Sequence, residues 1–304
     1  MMENITQEFS LNNSMLPRRC NRITPVISKD MYLSVSYDKI KKHEDKYEKF
    51  LNWDLISSSG KLTEADIIKN ADKINWRLLV MYQQLSDYIL IKFREKFDWE
   101  SVFMYQELSY NNRASYRLDE EGNVSQFTHT IKYIDDGFIR KVEDLMSIEA
   151  WDALIRYQFV SEETIQRYLS KTLGNKGLLF AGVDPSYYVE NVCRYQYLST
   201  DMLDNIITQF VTINYSYLMK IISEKQFLNE RQLDEYKDEL SWEYITPNLS
   251  EDLLIKYKDY VDWGYVSRYS KKYSKEFLSD MSFYLDKYQT EMREAEWKPT
   301  IIPL

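Results

Sequence analysis

The sequence predicts an all-α chain, an α-solenoid of short two-helix repeats, with a β-hairpin insertion expected within it. Three observations carry this. First, a cassette recurs seven times: an apolar residue, a Ser, Thr or Asn, an acid-rich turn, and a second apolar residue four positions after the hydroxyl or amide. It is found at Leu62-Thr63 with Ile67, Leu85-Ser86 with Leu90, Val160-Ser161 with Ile165, and Leu198-Ser199 with Leu203. It returns at Leu228-Asn229 with Leu233, Leu249-Ser250 with Leu254, and Tyr273-Ser274 with Leu278. This is the pattern of a helix N-cap flanked by a hydrophobic staple. Second, an aromatic follows four of these caps by thirteen residues, at Trp76, Trp99, Trp242 and Trp263, and a capping residue precedes each aromatic. Third, the chain has only 7 Gly and 6 Pro, too few for a β-rich or linker-rich protein.

Residues 1–36 lack periodicity and read as an N-terminal arm, with a small basic cluster at Arg18, Arg19 and Arg22. A helical-repeat domain is expected over 37–290. Its second kind of helix start lies at Asn52-Trp53, Asn75-Trp76, Asp98-Trp99, Asn214-Tyr215, Ser241-Trp242 and Asp262-Trp263. Trp53, Trp76 and Trp99 are 23 residues apart, so a unit of that length holds two helix starts. Two helices of about 8–12 residues fit in it, and helices so short are marginal in isolation. Trp76, Leu79, Val80 and Gln83 share a helical face that has to be buried against a neighbouring unit.

The repeat breaks at 110–137. There Tyr116, Leu118, Val124, Phe127, Ile131 and Tyr133 flank a Gly122-Asn123 turn, which reads as a β-hairpin. It breaks again at 171–187, where Gly174, Gly177 and Gly182 mark a loop and Leu178, Leu179 and Phe180 need a burial site in a groove or on a partner. Insertions in repeat proteins project from one face and often carry function. A charged final helix over Tyr288–Trp297 then caps the stack; the C-terminal tail is set at 291–304, and its end from Trp297 to Leu304 is apolar and extended, either folding back or meeting a neighbouring chain.

The stretches Trp76–Ser86, Trp99–Ser109 and Trp151–Ser161 share Gln seven after the Trp and then Leu-Ser or Val-Ser. Val189–Ser199 keeps Gln196, Leu198 and Ser199 without the Trp. This pattern resembles a short Trp/Gln-Leu-Ser two-helix repeat in proteins of large DNA viruses, bacteriophages included, for which no activity is assigned. The resemblance covers roughly residues 50–290. It implies a viral source and an α-solenoid, and no chemistry.

Composition bounds the function classes. Net charge is −9, and residues 1–50 hold nine Lys/Arg against seven Asp/Glu, so the acidity belongs to the body. An acidic body disfavours non-specific binding to nucleic acid or membrane. No apolar run reaches the ~20 residues of a membrane span. Cys20 and Cys193 have no metal-ligand spacing and fit a reducing compartment. His43 and His129 sit in unrelated contexts, which argues against a catalytic triad. Acidic pairs such as Asp135-Asp136 read as solvated turns rather than a metal site. The expectation is therefore a non-enzymatic protein in the cytoplasm (the host cytoplasm if viral), with no catalytic residue, metal or cofactor. Its expected partner is a protein, a host factor or defence complex in the viral reading. Candidate contacts are Arg18, Arg19, Arg22, Tyr116, Phe127, Leu178, Leu179 and Phe180. The alternatives are a nucleic-acid binder acting through the basic arm and a structural, oligomer-forming viral component; a homo-oligomer stays open.

Overall fold

A computed structural model describes residues 51–59, 62–108, 110–114, 117–118, 124–126, 130–174, 184–209 and 214–285. Helix predominates among them. Two compact units divide these residues, one ending before Asn214 and one beginning there.

The first unit opens with α1 (Trp53–Ser58), α2 (Glu64–Lys69), α3 (Trp76–Tyr82), α4 (Asp87–Lys92) and α5 (Trp99–Tyr105). These run 6–7 residues, shorter than the spacing predicted. Thr63 and Ser86 cap α2 and α4 with their hydroxyls, accepting from the Asp66 and Ile89 amides. Leu62, Ile67, Leu85 and Leu90 are buried, as a staple requires. Asn52 and Asn75 cap α1 and α3 with side-chain bonds, and Asp98 precedes α5 without one.

Strands β1 (Tyr110–Ala114) and β4 (Thr130–Ile134) pair antiparallel, with Tyr110 opposite Ile134. Between them β2 (Arg117–Leu118) pairs with β3 (Val124–Gln126). The hairpin expectation holds here, though α6 (Asp136–Arg140) already claims the last two residues of the expected break. The Ile134 amide donates to the Phe159 carbonyl and ties the strand end to the helical body.

Then follow α7 (Ile148–Tyr157), α8 (Glu162–Leu173), α9 (Ser186–Tyr195) and α10 (Thr200–Gln209). Trp151 lies inside its helix rather than at its start; Ser147, four residues before it, caps α7, its hydroxyl accepting from the Ala150 amide. Val189 likewise lies in the first turn of α9 rather than at its start. Both helices are lengthened at their N-terminal ends, so the spacing that survives is counted from the glutamine. The second break is also narrower than 171–187. Lys171–Leu173 finish α8, where Lys171 pairs with Glu143 and the Thr172 hydroxyl donates to the Tyr168 carbonyl. Ser186 and Tyr187 start α9 behind Pro185, whose fixed φ suits a helix entry.

What joins successive pairs is a ladder of glutamines. Gln83, Gln106, Gln158 and Gln196 each follow a helix as an extended C-cap. Gln83 takes the Leu62 amide on Oε1 and donates Nε2 to the Leu62 carbonyl. Gln106 accepts from Leu85 and donates to the carbonyls of Val80 and Gln83. Gln158 donates to Phe103 and Gln106, and Gln196 to Ile155 and Gln158 while accepting from Val160. Each rung bonds the backbone of the one before, and the β insertion between Gln106 and Gln158 does not interrupt it. A carboxamide has both the donors and the acceptor this task needs. In addition α3 packs on α1 and α5, and α7 on α5 and α9.

The second unit holds α11 (Tyr215–Lys225), α12 (Glu230–Tyr236), α13 (Trp242–Ile245), α14 (Glu251–Lys256), α15 (Trp263–Arg268) and α16 (Lys275–Asp280). Pro247, in a 3₁₀ turn directly after α13, has no amide to extend that helix, which accounts for the shortened stretch. Asn214, at the head of α11, lies at φ 37°, a left-handed conformation that Asn tolerates better than most residues. Asn229, Ser250 and Ser274 cap α12, α14 and α16 through their side chains. The last staple differs: Phe277, not Leu278, is the buried residue of α16.

A tryptophan clasp recurs in both units. The indole N–H donates to the carbonyl five residues earlier, Trp76 to Ala71, Trp99 to Arg94, Trp242 to Lys237 and Trp263 to Lys258. Those carbonyls lie beyond the end of the preceding helix, where backbone acceptors lack intrahelical partners. A hydroxyl lock accompanies it. Ser57, Ser223 and Thr246 accept from the amides of Asn75, Ser241 and Asp262, the residues that start the next tryptophan helices.

Candidate functional site

Within the first unit, α7, α8 and α9 converge on one carboxylate. Asp152 lies on α7 with Ala150, Trp151, Ala153, Leu154 and Ile155 buried around it. Its Oδ1 accepts from the Tyr168 hydroxyl on α8 at 3.1 Å and from Asn191 Nδ2 on α9 at 2.7 Å. Its Oδ2 accepts from the Tyr187 hydroxyl at 3.1 Å and lies 3.6 Å from Arg156, one turn along α7. A carboxylate so enclosed needs several donors to offset lost hydration, and three helices supply them.

A cleft of about 270 Å³ opens beside this hub. Tyr157, Tyr187, Tyr188, Met104, Ile148 and Ala153 give it an aromatic and apolar lining, and Glu100, Glu149, Asp152 and Arg156 give it charge. Its volume lies just below the ~300–1,000 Å³ usual for ligand pockets, which suits one inserted side chain better than a cofactor. Tyr188 is buried, its ring 5.9 Å from Tyr168 and 5.3 Å from Tyr187, both edge-on. The Arg156 guanidinium lies 5.7 Å from the Tyr157 ring and 5.8 Å from the Tyr195 ring.

Burial first, and then the Asp152 charge, push the Tyr168 and Tyr188 hydroxyls up from the usual phenol value, so both stay protonated donors. Burial opposes the Arg156 charge, but Asp152 and neighbouring tyrosines outweigh it and raise its pKa. Glu149, in the first turn of α7, is held below the usual carboxylate value by its own backbone N–H and the Ser147 hydroxyl. The cleft therefore presents an ionised Glu149, the Arg156 guanidinium and a protonated Tyr188 at neutral pH.

Among the described residues no group of three or more His, Cys, Asp or Glu is placed to hold a metal ion. No described helix is long and apolar enough to cross a membrane. Cys193 is buried in α9, where desolvation pushes its thiol up to about 12. Cys20, His43 and His129 lie outside the described residues, as do the N-terminal arm and the C-terminal tail.

The same is true of every contact residue proposed from sequence: Arg18, Arg19, Arg22, Tyr116, Phe127, Leu178, Leu179 and Phe180. Asp152, Arg156 and Tyr187 are not among the contact residues expected from sequence. The available signals were an Asp–Arg pair four apart on a helix and the Tyr187-Tyr188 doublet at the edge of the second break. Comparison with family models, curated proteins and solved structures finds no match to the chain.

Proposed function

We propose that the chain is a non-enzymatic binding scaffold whose two-helix units stack as an α-solenoid and present a surface to another protein. The observation that carries this reading is the recurrence of one set of bonds. The glutamine rungs, tryptophan clasps and hydroxyl locks all fasten one helix pair to the next. Units that depend on their neighbours in this way are typical of repeat proteins, whose extended surfaces serve recognition. The polar side chains around Asp152 are largely occupied with one another, which fits a recognition surface better than a reaction centre.

With the resemblance to viral repeat proteins, the proposed partner is a host protein and the proposed location the host cytoplasm. Affinity capture from host lysate with the purified, folded chain tests this. The expected result is one protein recovered near stoichiometry, whose purified form rebinds with a Kd of roughly micromolar or tighter. Recovery of nothing above an unrelated acidic control protein would count against the scaffold reading. Light scattering across concentration separates it from self-assembly, which would appear as a rising particle mass.

A further inference from the structure

The cleft beside Asp152 has a charge balance that selects its occupant. Its acids are Glu100, Glu149 and Asp152 against the single cation Arg156. Arg156 already faces Asp152, and Asp152 is further saturated by Tyr168, Tyr187 and Asn191. Glu100 and Glu149 form no salt bridge among the described residues, and both are exposed at the rim. The same cleft is lined by Met104, Ile148 and the tyrosines, with Tyr187 42 % exposed. Thus the rim has unspent negative charge and the wall has aromatic faces.

We propose that this cleft receives an arginine side chain from a protein partner. Complementary charge is the first argument: an anionic group would meet two carboxylates that have no ion-pair partner, while a cation neutralises them. Ring chemistry is the second. A guanidinium is planar, weakly hydrated and favourable on tyrosine faces. Arg156, which lines the cleft, already lies 5.7 Å from the ring of Tyr157 and 5.8 Å from that of Tyr195. Size is the third, since about 270 Å³ admits one long side chain. The rim carboxylates would accept charge-assisted hydrogen bonds from the fork of the incoming guanidinium. This rests on the binding-scaffold reading and names the partner chemistry of one part of its surface.

Fluorescence polarisation tests it with the full chain at low salt and a labelled Gly-Ser-Arg-Ser-Gly peptide. The control peptide carries citrulline, which keeps the shape of arginine and removes its charge. Saturable binding of the arginine peptide is expected, about tenfold or more tighter than the citrulline peptide. The Glu100→Gln, Glu149→Gln double variant should weaken arginine-peptide binding about tenfold, and Tyr187→Ala severalfold. Three results would overturn the proposal: no binding up to millimolar chain, equal binding of the citrulline peptide, or unchanged binding by both variants. The citrulline comparison uses the unaltered chain, so it decides even if a variant misfolds. A lysate partner that still binds the double variant as tightly as the unaltered chain would sink the cleft assignment and leave the scaffold reading standing.

Discussion

Gln106 shows how much one side chain carries. It is 3 % exposed, and its carboxamide meets three backbone groups of the preceding helix pair. Gln106→Ala would strand the Leu85 amide and two carbonyls away from water. Leaving a buried polar group unmatched costs about 1–3 kcal/mol, so a loss of roughly 2–4 kcal/mol is expected in urea unfolding. Gln106→Glu should be worse, and pH-dependent, because a buried carboxylate would face carbonyl oxygens. Its folded pKa would lie above the unfolded value of about 4.3, so stability is expected to fall as pH rises from about 4 toward that folded pKa. A variant equally stable at pH 5 and 8 would contradict this. Cys193 offers a second test at this scale. Burial holds its thiol near 12, leaving almost no thiolate at pH 8. In a Cys20→Ser chain, reaction with a disulfide reagent should proceed at the unfolding rate; rapid labelling of the native protein would show the residue is accessible.

Helix starts were the most legible elements, because a cap is a local device and leaves a local signature. All seven cassette residues, from Thr63 to Ser274, accept a hydrogen bond from the amide three residues on. Helix lengths were less legible. Trp151 resembles Trp76 in sequence but sits one turn inside α7, since Ser147 offers an earlier cap. The Asp152 hub was not legible at all. It joins residues up to 39 positions apart, and no local pattern announces such a meeting. The cassettes also differ in what they reach. Ser161 accepts from Thr164 and donates to Asp136 on α6, with an exposure of 4 %. Ser250 makes the cap bond to Leu253 and is half-buried. Loss of a simple cap costs about 1 kcal/mol. Ser250→Ala is expected near that value and Ser161→Ala about 1 kcal/mol above it, since a buried bond to a carboxylate goes too. Equal losses in denaturant melts would mean the Asp136 contact adds nothing. Ser274 supplies a third case: its amide and hydroxyl both donate to Glu251 of α14, so Ser274→Ala and Glu251→Gln should couple in a double-mutant cycle.

Across the first unit the ladder sets how stability is shared. Gln196 bonds the Gln158 carbonyl, Gln158 that of Gln106, and Gln106 that of Gln83, so each rung touches its neighbour and skips none. A chain of nearest-neighbour couplings does not unfold like a single compact core; it can open from the weakened pair outward. Gln196→Leu removes the partners of the Val160 amide and of the Ile155 and Gln158 carbonyls while keeping a side chain of similar bulk. Native-state hydrogen exchange should therefore speed up most at the end of α7 and in the extended residues 158–161. Amides of α2 and α3, joined by the Gln83 rung three steps from Gln196, should keep their protection. The β insertion between Gln106 and Gln158 makes the test sharper, because the Gln158 bonds cross it directly. If coupling follows the ladder, the disturbance fades in the order Gln158, Gln106, Gln83. If instead every amide from α1 to α10 gains the same exchange rate, the unit opens as one cooperative body, and the rungs bind neighbours without partitioning stability between them.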